Sequence, residues 1–328
     1  MSYKLDLAAA GRFLADNDHF LVVNHVNPDG DATGSLLAVG HMLKSLGKNF
    51  TLANEGPTPE KFKFIPLSEA IIDLSEQKLD RTFDRVIALD CGDFQRIGAV
   101  ADYFSEGFKL LNIDHHPTND SFGSANLVRT DACATAEILY DLMKDMQISL
   151  HKDLATSIYM GLLTDTGGFR YSNTTAEVLH KAADLLNYEV SPGEVAERCL
   201  ETITVSYLRL LREVLPTLTM DFNNRAAYLT ITLEAMEASQ ANREDMEGIV
   251  NYARNIEGVE VGVLFKQVDS DIVKVSMRSN RTVDVAAIAK ELGGGGHAKA
   301  SGCTVKGSLT EVTEVVREKL KQAWGNEQ

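Results

Sequence analysis

An α/β fold in two domains is predicted by three observations. Over the first 190 residues, short unbroken apolar runs alternate with segments whose apolar positions repeat every 3.6 residues. From about residue 174 to 215 the pattern is helical throughout. Beyond residue 218, strand-like runs return with helical stretches between them. Continuous apolar strands separated by helices imply a parallel sheet covered on both faces. The expected layout is a parallel-sheet domain over 1–190, a helical connector over 191–216 and a smaller α/β domain over 217–328.

The elements follow in order. MSYKLDLAAAGRFLADND reads as an amphipathic helix and not a secretory signal, because charges break its apolar stretch. FLVVN (20–24) is the first strand, followed by a loop and a helix over 32–46 with Leu36, Leu37, Val39, Met42, Leu43 and Leu46 in helical register. Strands are expected at 50–53, 86–89 and 110–113, and helices at 134–146 and 154–163. In the connector, Pro192 sits just inside a helix and Pro216 ends the last one. The second domain should hold strands 218–222, 227–232, 259–268 and 272–277, with helices 243–256, 283–292 and 309–323.

Bulk properties narrow the function. No run reaches the roughly 18 to 20 apolar residues of a membrane span, so no membrane partner is expected and the cytoplasm is the expected location. The four cysteines form no CxxC pair, which fits reduced, buried thiols. A net charge of −15 argues against broad electrostatic binding to long nucleic acid. It leaves room for a short polyanion gripped by metals and a few side chains.

Carboxylates and imidazoles gather at the ends of apolar segments: His25, Asp29 and Asp31 after the first strand, Asp90, Asp114-His115-His116, and Asp165. Each also fits a plain role. Asp29 and Asp31 could shape a turn and cap a helix, Asp90 could form a turn, the histidines could sit satisfied in a loop, and Asp165 could end a helix. Four such sites on one edge of a predicted sheet are harder to explain that way, since clustered like charges raise one another's pKa. Divalent cations remove the conflict. Carboxylate and histidine without thiolate favour Mn²⁺ or a similar ion over structural zinc, and a two-metal site mostly means phosphoryl transfer.

In the second half, Gly293 to Gly296 could expose consecutive backbone N–H groups to an anion, with His297 and Arg278 adding charge-assisted bonds. From Arg254 to Lys306 there are eight Lys/Arg against six Asp/Glu, locally basic in an acidic chain. A flexible surface loop is the alternative. Arg96, Arg170 and Tyr171 could reach a bound ligand, but surface packing is the plainer reading of each.

The segments HVNPDGDATGS, ALDCGD, NIDHHPTN and GLLTDTGGF, in that order, resemble the four motifs of the DHH phosphoesterases. GGGGHAKASG, preceded by SMRSN, resembles the signature of the DHHA1 domain. Size and domain content are most similar to the bacterial nanoRNase/pAp-phosphatase branch. The resemblance departs at DACATAE (131–137), where relatives often carry serines.

This resemblance implies a DHH catalytic domain and a DHHA1 substrate-binding domain with the active site in the cleft between them. It implies one metal held by His25, Asp29 and Asp90, and a second held by Asp31, Asp90, His115 and Asp165. His116 would face the scissile phosphate, with Asp114 orienting the histidines. Arg278, Ser279, Gly295, Gly296 and His297 would bind substrate. The implied cofactors are two divalent cations, Mn²⁺ foremost, with Mg²⁺ or Co²⁺ as alternatives. The implied activity is hydrolysis of very short RNA to mononucleotides and of 3′-phosphoadenosine 5′-phosphate (pAp) to AMP. A cyclic di-AMP or linear pApA phosphodiesterase is the first alternative, and a non-catalytic nucleotide sensor is the second. Short RNA oligonucleotides and small nucleotides are the expected partners, and homodimerisation stays open.

Overall fold

The computed structural model describes residues 2–325. Two compact units meet in sequence between Thr202 and Ile203, inside the expected connector. The sequence boundaries at residues 1 and 328 lie outside the described residues.

The first unit opens with α1 (Ser2–Asp16), β1 (Phe20–Asn24), α2 (Gly30–Ser45) and β2 (Phe50–Asn54). It continues through β3 (Ile71–Asp73), β4 (Phe83–Leu89), β5 (Phe104–Asp114) and β6 (Ala125–Val128). It closes with α3 (Thr135–Asp145), α4 (Lys152–Asp165), α5 (Ala176–Leu186) and the short α6 (Pro192–Ala196). All five strand pairings are parallel, in the order β3-β2-β1-β4-β5-β6. β1 shows why its run is unbroken. Phe20 and Val22 enter one core with Leu36 and Leu37 of α2, while Leu21 and Val23 enter another with Val86, Ala88, Ile97 and Val100. The order reverses between β1 and β4, and at such a switch point a crevice opens beyond the carboxyl ends of the strands.

Small residues bring three helices together behind this crevice. A Cβ on Gly34 of α2 would lie 2.6 Å from the Ser157 carbonyl of α4, and one on Gly161 of α4 would lie 2.4 Å from Ala136 Cβ of α3. The close approach carries the N-termini of α2 and α3 and the C-terminus of α4 to one place.

The stretch 174–215, expected to be wholly helical, is interrupted. Breaks at 187–191 and 202–204 separate α5, α6 with a following π turn (Glu197–Glu201), and α7 (Val205–Val214). Ser191 and Thr204 each start the next helix by accepting a backbone N–H.

The second unit holds α7 and a mixed sheet. Its elements are β7 (Thr219–Asp221), β8 (Ala226–Ile231), α8 (Leu233–Ser239), α9 (Val250–Arg254), β9 (Val261–Asp269) and β10 (Ile272–Ser279), then α10 (Val285–Glu291), β11 (Gly295–His297), β12 (Ala300–Lys306) and α11 (Leu309–Gly325). The strand order is β11-β12-β10-β9-β8-β7, with only β8–β9 parallel. The helix expected at 243–256 is shortened to α9, because Gly248 takes φ +75° and stops any extension towards Arg243. The four cysteines are free and buried, and no helix among the described residues is long and apolar enough to cross a membrane.

Candidate metal centre

The site assembles where the sheet order reverses. β1 delivers His25, and the Pro28-containing turn delivers Asp29, which accepts the N–H groups of Asp31 (3.1 Å) and Ala32 (3.0 Å) and so caps α2. Capping and clustering are not exclusive: Asp31, in the first turn of α2, points the other way into a buried pocket. There its carboxylate accepts the backbone N–H of Thr135 at 2.6 Å and of Ala136 at 3.0 Å, the N-terminal amides of α3.

Asp90 follows β4 with φ +58°, a left-handed conformation uncommon for a residue with a Cβ. Its N–H is held by the Ile113 carbonyl at 3.0 Å, so the turn is fixed by the neighbouring strand. Strain of this kind concentrates at functional sites. Here it sets the carboxylate between three imidazoles: Oδ2 is 3.4 Å from His25 Nε2, and Oδ1 is 3.5 Å from His115 Nε2 and 3.6 Å from His116 Nδ1. Asp165 Oδ2, at the end of α4, lies 3.3 Å from His115 Nε2.

These residues fit divalent cations. One ligand atom each from His25, Asp29 and Asp90 lies within 4.8 Å of the others, and so does one each from Asp31, Asp90 and His115. Asp90 is common to both trios. The His–Asp separations of 3.3–3.5 Å are long for a hydrogen bond but close to the roughly 3.0–3.4 Å between two ligands on one ion with ~2.1 Å bonds. His25 Nδ1 lies 3.0 Å from the Val26 carbonyl and His115 Nδ1 3.3 Å from that of Ala132. Each backbone bond fixes a tautomer that turns a bare Nε2 inward, as metal-ligating histidines require.

Electrostatics say the same. Burial, then the Asp90 carboxylate, pushes Asp31 up to about 8. Burial, then Asp31, raises Asp165 well above the usual carboxylate range. For His115, burial opposes the charged form, but Asp165, Asp90 and Asp31 outweigh it and carry the imidazole to about 9. Asp90 is the exception: burial is outweighed by the adjacent imidazoles of His25, His116 and His115, which hold it below the usual range. A cluster this frustrated is relieved by positive charge.

Asp114 and His116 form a hydrogen-bonded pair beside Asp90, and one ligand atom from each of the three lies within 4.8 Å of the other two. His116 Nδ1 donates to Asp114 Oδ1 at 2.8 Å, and the other Asp114 oxygen accepts from Asn119 Nδ2 at 2.6 Å. Asp114 is fully buried and His116 half-buried.

Two residues join the site that the motifs did not single out. Thr135 donates its hydroxyl to Asp90 Oδ1 at 2.9 Å, besides its N–H to Asp31. Asn119 Nδ2 also lies within donating distance of the Asn112 side-chain Oδ1 (2.8 Å) and the Cys91 carbonyl (3.1 Å), tying Asp114 to β5 and to the turn after β4. The signal for Thr135 was available as a small polar residue opening the helix expected at 134–146. Arg170 is exposed and donates to the Gly167 carbonyl at 2.5 Å, while Tyr171 packs on Gly167, so packing accounts for both.

In the second unit, Arg278 pairs with Ala300, and Ala300 with His297. Arg278 and His297 therefore share one face, two strand spacings or roughly 10 Å apart. Lys274 lies on that face of β10, opposite Lys266 of β9. Burial, then Lys274, Arg278 and Arg243, pushes Lys266 down to about 8. Ser279 falls on the opposite, buried face with Met277, its hydroxyl without a partner among the described residues. Part of the glycine run is a strand, which sets aside the alternative of a flexible surface loop. Gly295 and Gly296 pair with Gly302 and Ser301, and a Cβ on Gly294 would lie 2.2 Å from the Gly302 carbonyl. Close packing of β11 on β12 is one reason for these glycines.

The pattern described as DHH family, N-terminal domain, matches residues 19–162, and the DHHA1 domain matches 223–323. A bifunctional oligoribonuclease and PAP phosphatase from Thermus thermophilus is 38% identical over 308 residues, 92% of this chain and 90% of the relative. The chain belongs to the DHH family. A Bacillus subtilis protein of the same description is 28% identical, over 88% of this chain and 90% of its own. Among solved structures, an exopolyphosphatase-related protein from Bacteroides fragilis superposes with a TM-score of 0.89 at 27% identity, covering 97% of this chain and 96% of its own. The DHH match contains β1, β4 and β5 with every expected metal ligand except Asp165, which lies three residues past its end.

Proposed function

We propose that the chain is a two-metal phosphoesterase that hydrolyses very short RNA to mononucleotides and pAp to AMP. The observation that carries the reading is one buried carboxylate, Asp90, shared by two ligand trios. His25, Asp29 and Asp90 would hold one cation, and Asp31, Asp90, His115 and Asp165 the other. Mn²⁺ suits this oxygen–nitrogen set, with Mg²⁺ or Co²⁺ as substitutes. Two such cations supply a strong nucleophile near neutral pH and neutralise charge on phosphoryl oxygens.

The chain's own groups do the rest. Asp114 accepts Nδ1–H of His116 and so orients the ring, and with its Nε2 also protonated His116 would donate from Nε2 to a phosphoryl or leaving oxygen. Thr135 and the α3 amides hold Asp90 and Asp31 in ligating orientation. In the second unit, the basic row of Arg278, His297 and Lys274 suits the phosphates and bases of one or two nucleotides, too few charges for long RNA.

The choice of substrate rests on the names of the relatives and on that limited basic surface. Assaying pAp, a diribonucleotide, linear pApA and cyclic di-AMP side by side with Mn²⁺ tests it. The expected result is turnover of pAp and the diribonucleotide, and a decisive preference for cyclic di-AMP overturns it. Asp90→Ala should abolish turnover and binding of both metals, and retained activity would refute the ligand assignment. An intact ligand set argues against a non-catalytic sensor.

A further inference from the structure

The two helices that bring Asp31 and Asp165 to the metal centre carry a second cluster at their far ends. α2 starts beside Asp31 and reaches His41 ten residues, or roughly 15 Å, further along its axis. α4 runs the opposite way: Asp165 ends it, His151 precedes its first residue, and Asp153 lies in its first turn. The His41 and His151 rings meet edge to face with centroids 5.3 Å apart. One ligand atom each from His41, His151 and Asp153 lies within 4.8 Å of the other two. We propose that these three residues bind a further divalent cation, of the Zn²⁺ type, which staples α2 to α4 away from the catalytic centre.

Three features separate this cluster from a chance meeting of surface groups. His41 is only 3% exposed, so an imidazole has been placed in the interior where an apolar residue would pack at least as well. Its Nε2 lies 3.3 Å from the Pro66 carbonyl. With that nitrogen carrying the proton, Nδ1 keeps its lone pair, the arrangement in which a backbone carbonyl orients a ligating histidine. Burial and then the His151 ring hold His41 below its ordinary pKa, which keeps it neutral as a ligand must be. Asp153 is half-buried, and among the described residues only its backbone carbonyl, not its carboxylate, takes a hydrogen bond.

The donor set, two imidazole nitrogens and one carboxylate, suits Zn²⁺ with a water as fourth ligand. Tetrahedral bonds of ~2.0–2.1 Å place ligand atoms roughly 3.4 Å apart. His151 is exposed and can rotate to close the remaining distance. A cation here would fix the distal ends of the helices whose other ends hold catalytic carboxylates.

The test uses tag-free full-length protein saturated with Mn²⁺ and then equilibrated with Zn²⁺. Bound zinc per chain is measured by mass spectrometry of the metals, alongside the zinc-dependent change in Tm. The comparison is the double variant His151→Ala, Asp153→Asn. It should bind one equivalent of zinc less than wild type and lose a zinc-dependent rise in Tm, with Mn²⁺-dependent hydrolysis unchanged. Equal zinc content in the two proteins overturns the proposal. Should the double variant fail to fold, His151→Asn alone, at an exposed position, is read by the same difference in zinc content.

Discussion

The Thr135 hydroxyl donates a 2.9 Å hydrogen bond to Oδ1 of Asp90, the carboxylate that faces His25 and His115. A carboxylate asked to serve two cations needs its oxygens held apart from its neighbours, and this bond does that from a buried helix N-terminus. Thr135→Val keeps the shape and removes the donor. Support of this kind is worth about 10- to 100-fold in metal affinity. The Mn²⁺ concentration for half-maximal activity should rise by that factor while kcat at saturating Mn²⁺ changes little, and Thr135→Ser should restore it. An unshifted Mn²⁺ titration would show that Thr135 only packs.

His116 differs from His25 and His115 in its partner. Its Nδ1 is given to the Asp114 carboxylate at 2.8 Å, where theirs face backbone carbonyls. A carboxylate partner of this kind stands behind acid–base histidines and metal-bound ones alike, so the two roles differ in what loss of the ring removes. His116→Ala should lower kcat by roughly 10²- to 10⁴-fold, the usual range for a lost acid–base group, with bound Mn²⁺ unchanged. Metal analysis alongside single-turnover kinetics decides, and loss of a metal equivalent would make His116 a ligand.

Much of this was legible before any coordinates. The unbroken runs at 20–24 and 110–113 read as strands because both faces are buried, and their ends located His25 and Asp114. β3 and β6 were missed for the opposite reason: at three and four residues, with half-buried patterns at the sheet edges, they carry too little apolar signal. β11 carries no strand signal because glycine has little strand propensity, and only the partner strand β12 makes it one. Thr135 escaped because its importance lies in hydrogen bonds to residues 45 and 104 positions away. Its place at the opening of a helix hints at a capping role but not at these partners.

Gly161 couples packing to the site. A Cβ there would lie 2.4 Å from Ala136 Cβ and 2.6 Å from Asp31 Oδ1. Gly161→Ala must push α4 from α3 or displace the Asp31 carboxylate from the α3 amides. Overpacking of this order costs about 1–3 kcal/mol. The variant should show a lowered denaturation midpoint and weakened Mn²⁺ binding together. Lower stability with normal metal affinity would mean that the helices yield and Asp31 does not move.

Glu137 anchors a buried ion network that joins α3 to α5. Its carboxylate accepts from Arg129, from Lys181 at 2.9 Å and from the Cys133 N–H at 2.8 Å, and Lys181 also reaches Asp141 and Glu177, each at 2.8 Å. Glu137 is 2% exposed, so removing it leaves two cations with less compensation in the interior. Glu137→Ala should cost about 3–5 kcal/mol. The same group sets a pH dependence. Burial favours the neutral acid, but the Cys133 N–H, Lys181 and Arg129 prevail and hold the folded pKa below the ordinary 4.5. The folded state thus binds fewer protons than the unfolded one, so the stabilisation is fully present above about pH 4.5 and fades as pH falls through the lower, folded value. Urea denaturation midpoints between pH 3 and 6 should fall more steeply with acid in wild type than in Glu137→Gln; parallel curves would exclude Glu137 as a source of the acid sensitivity.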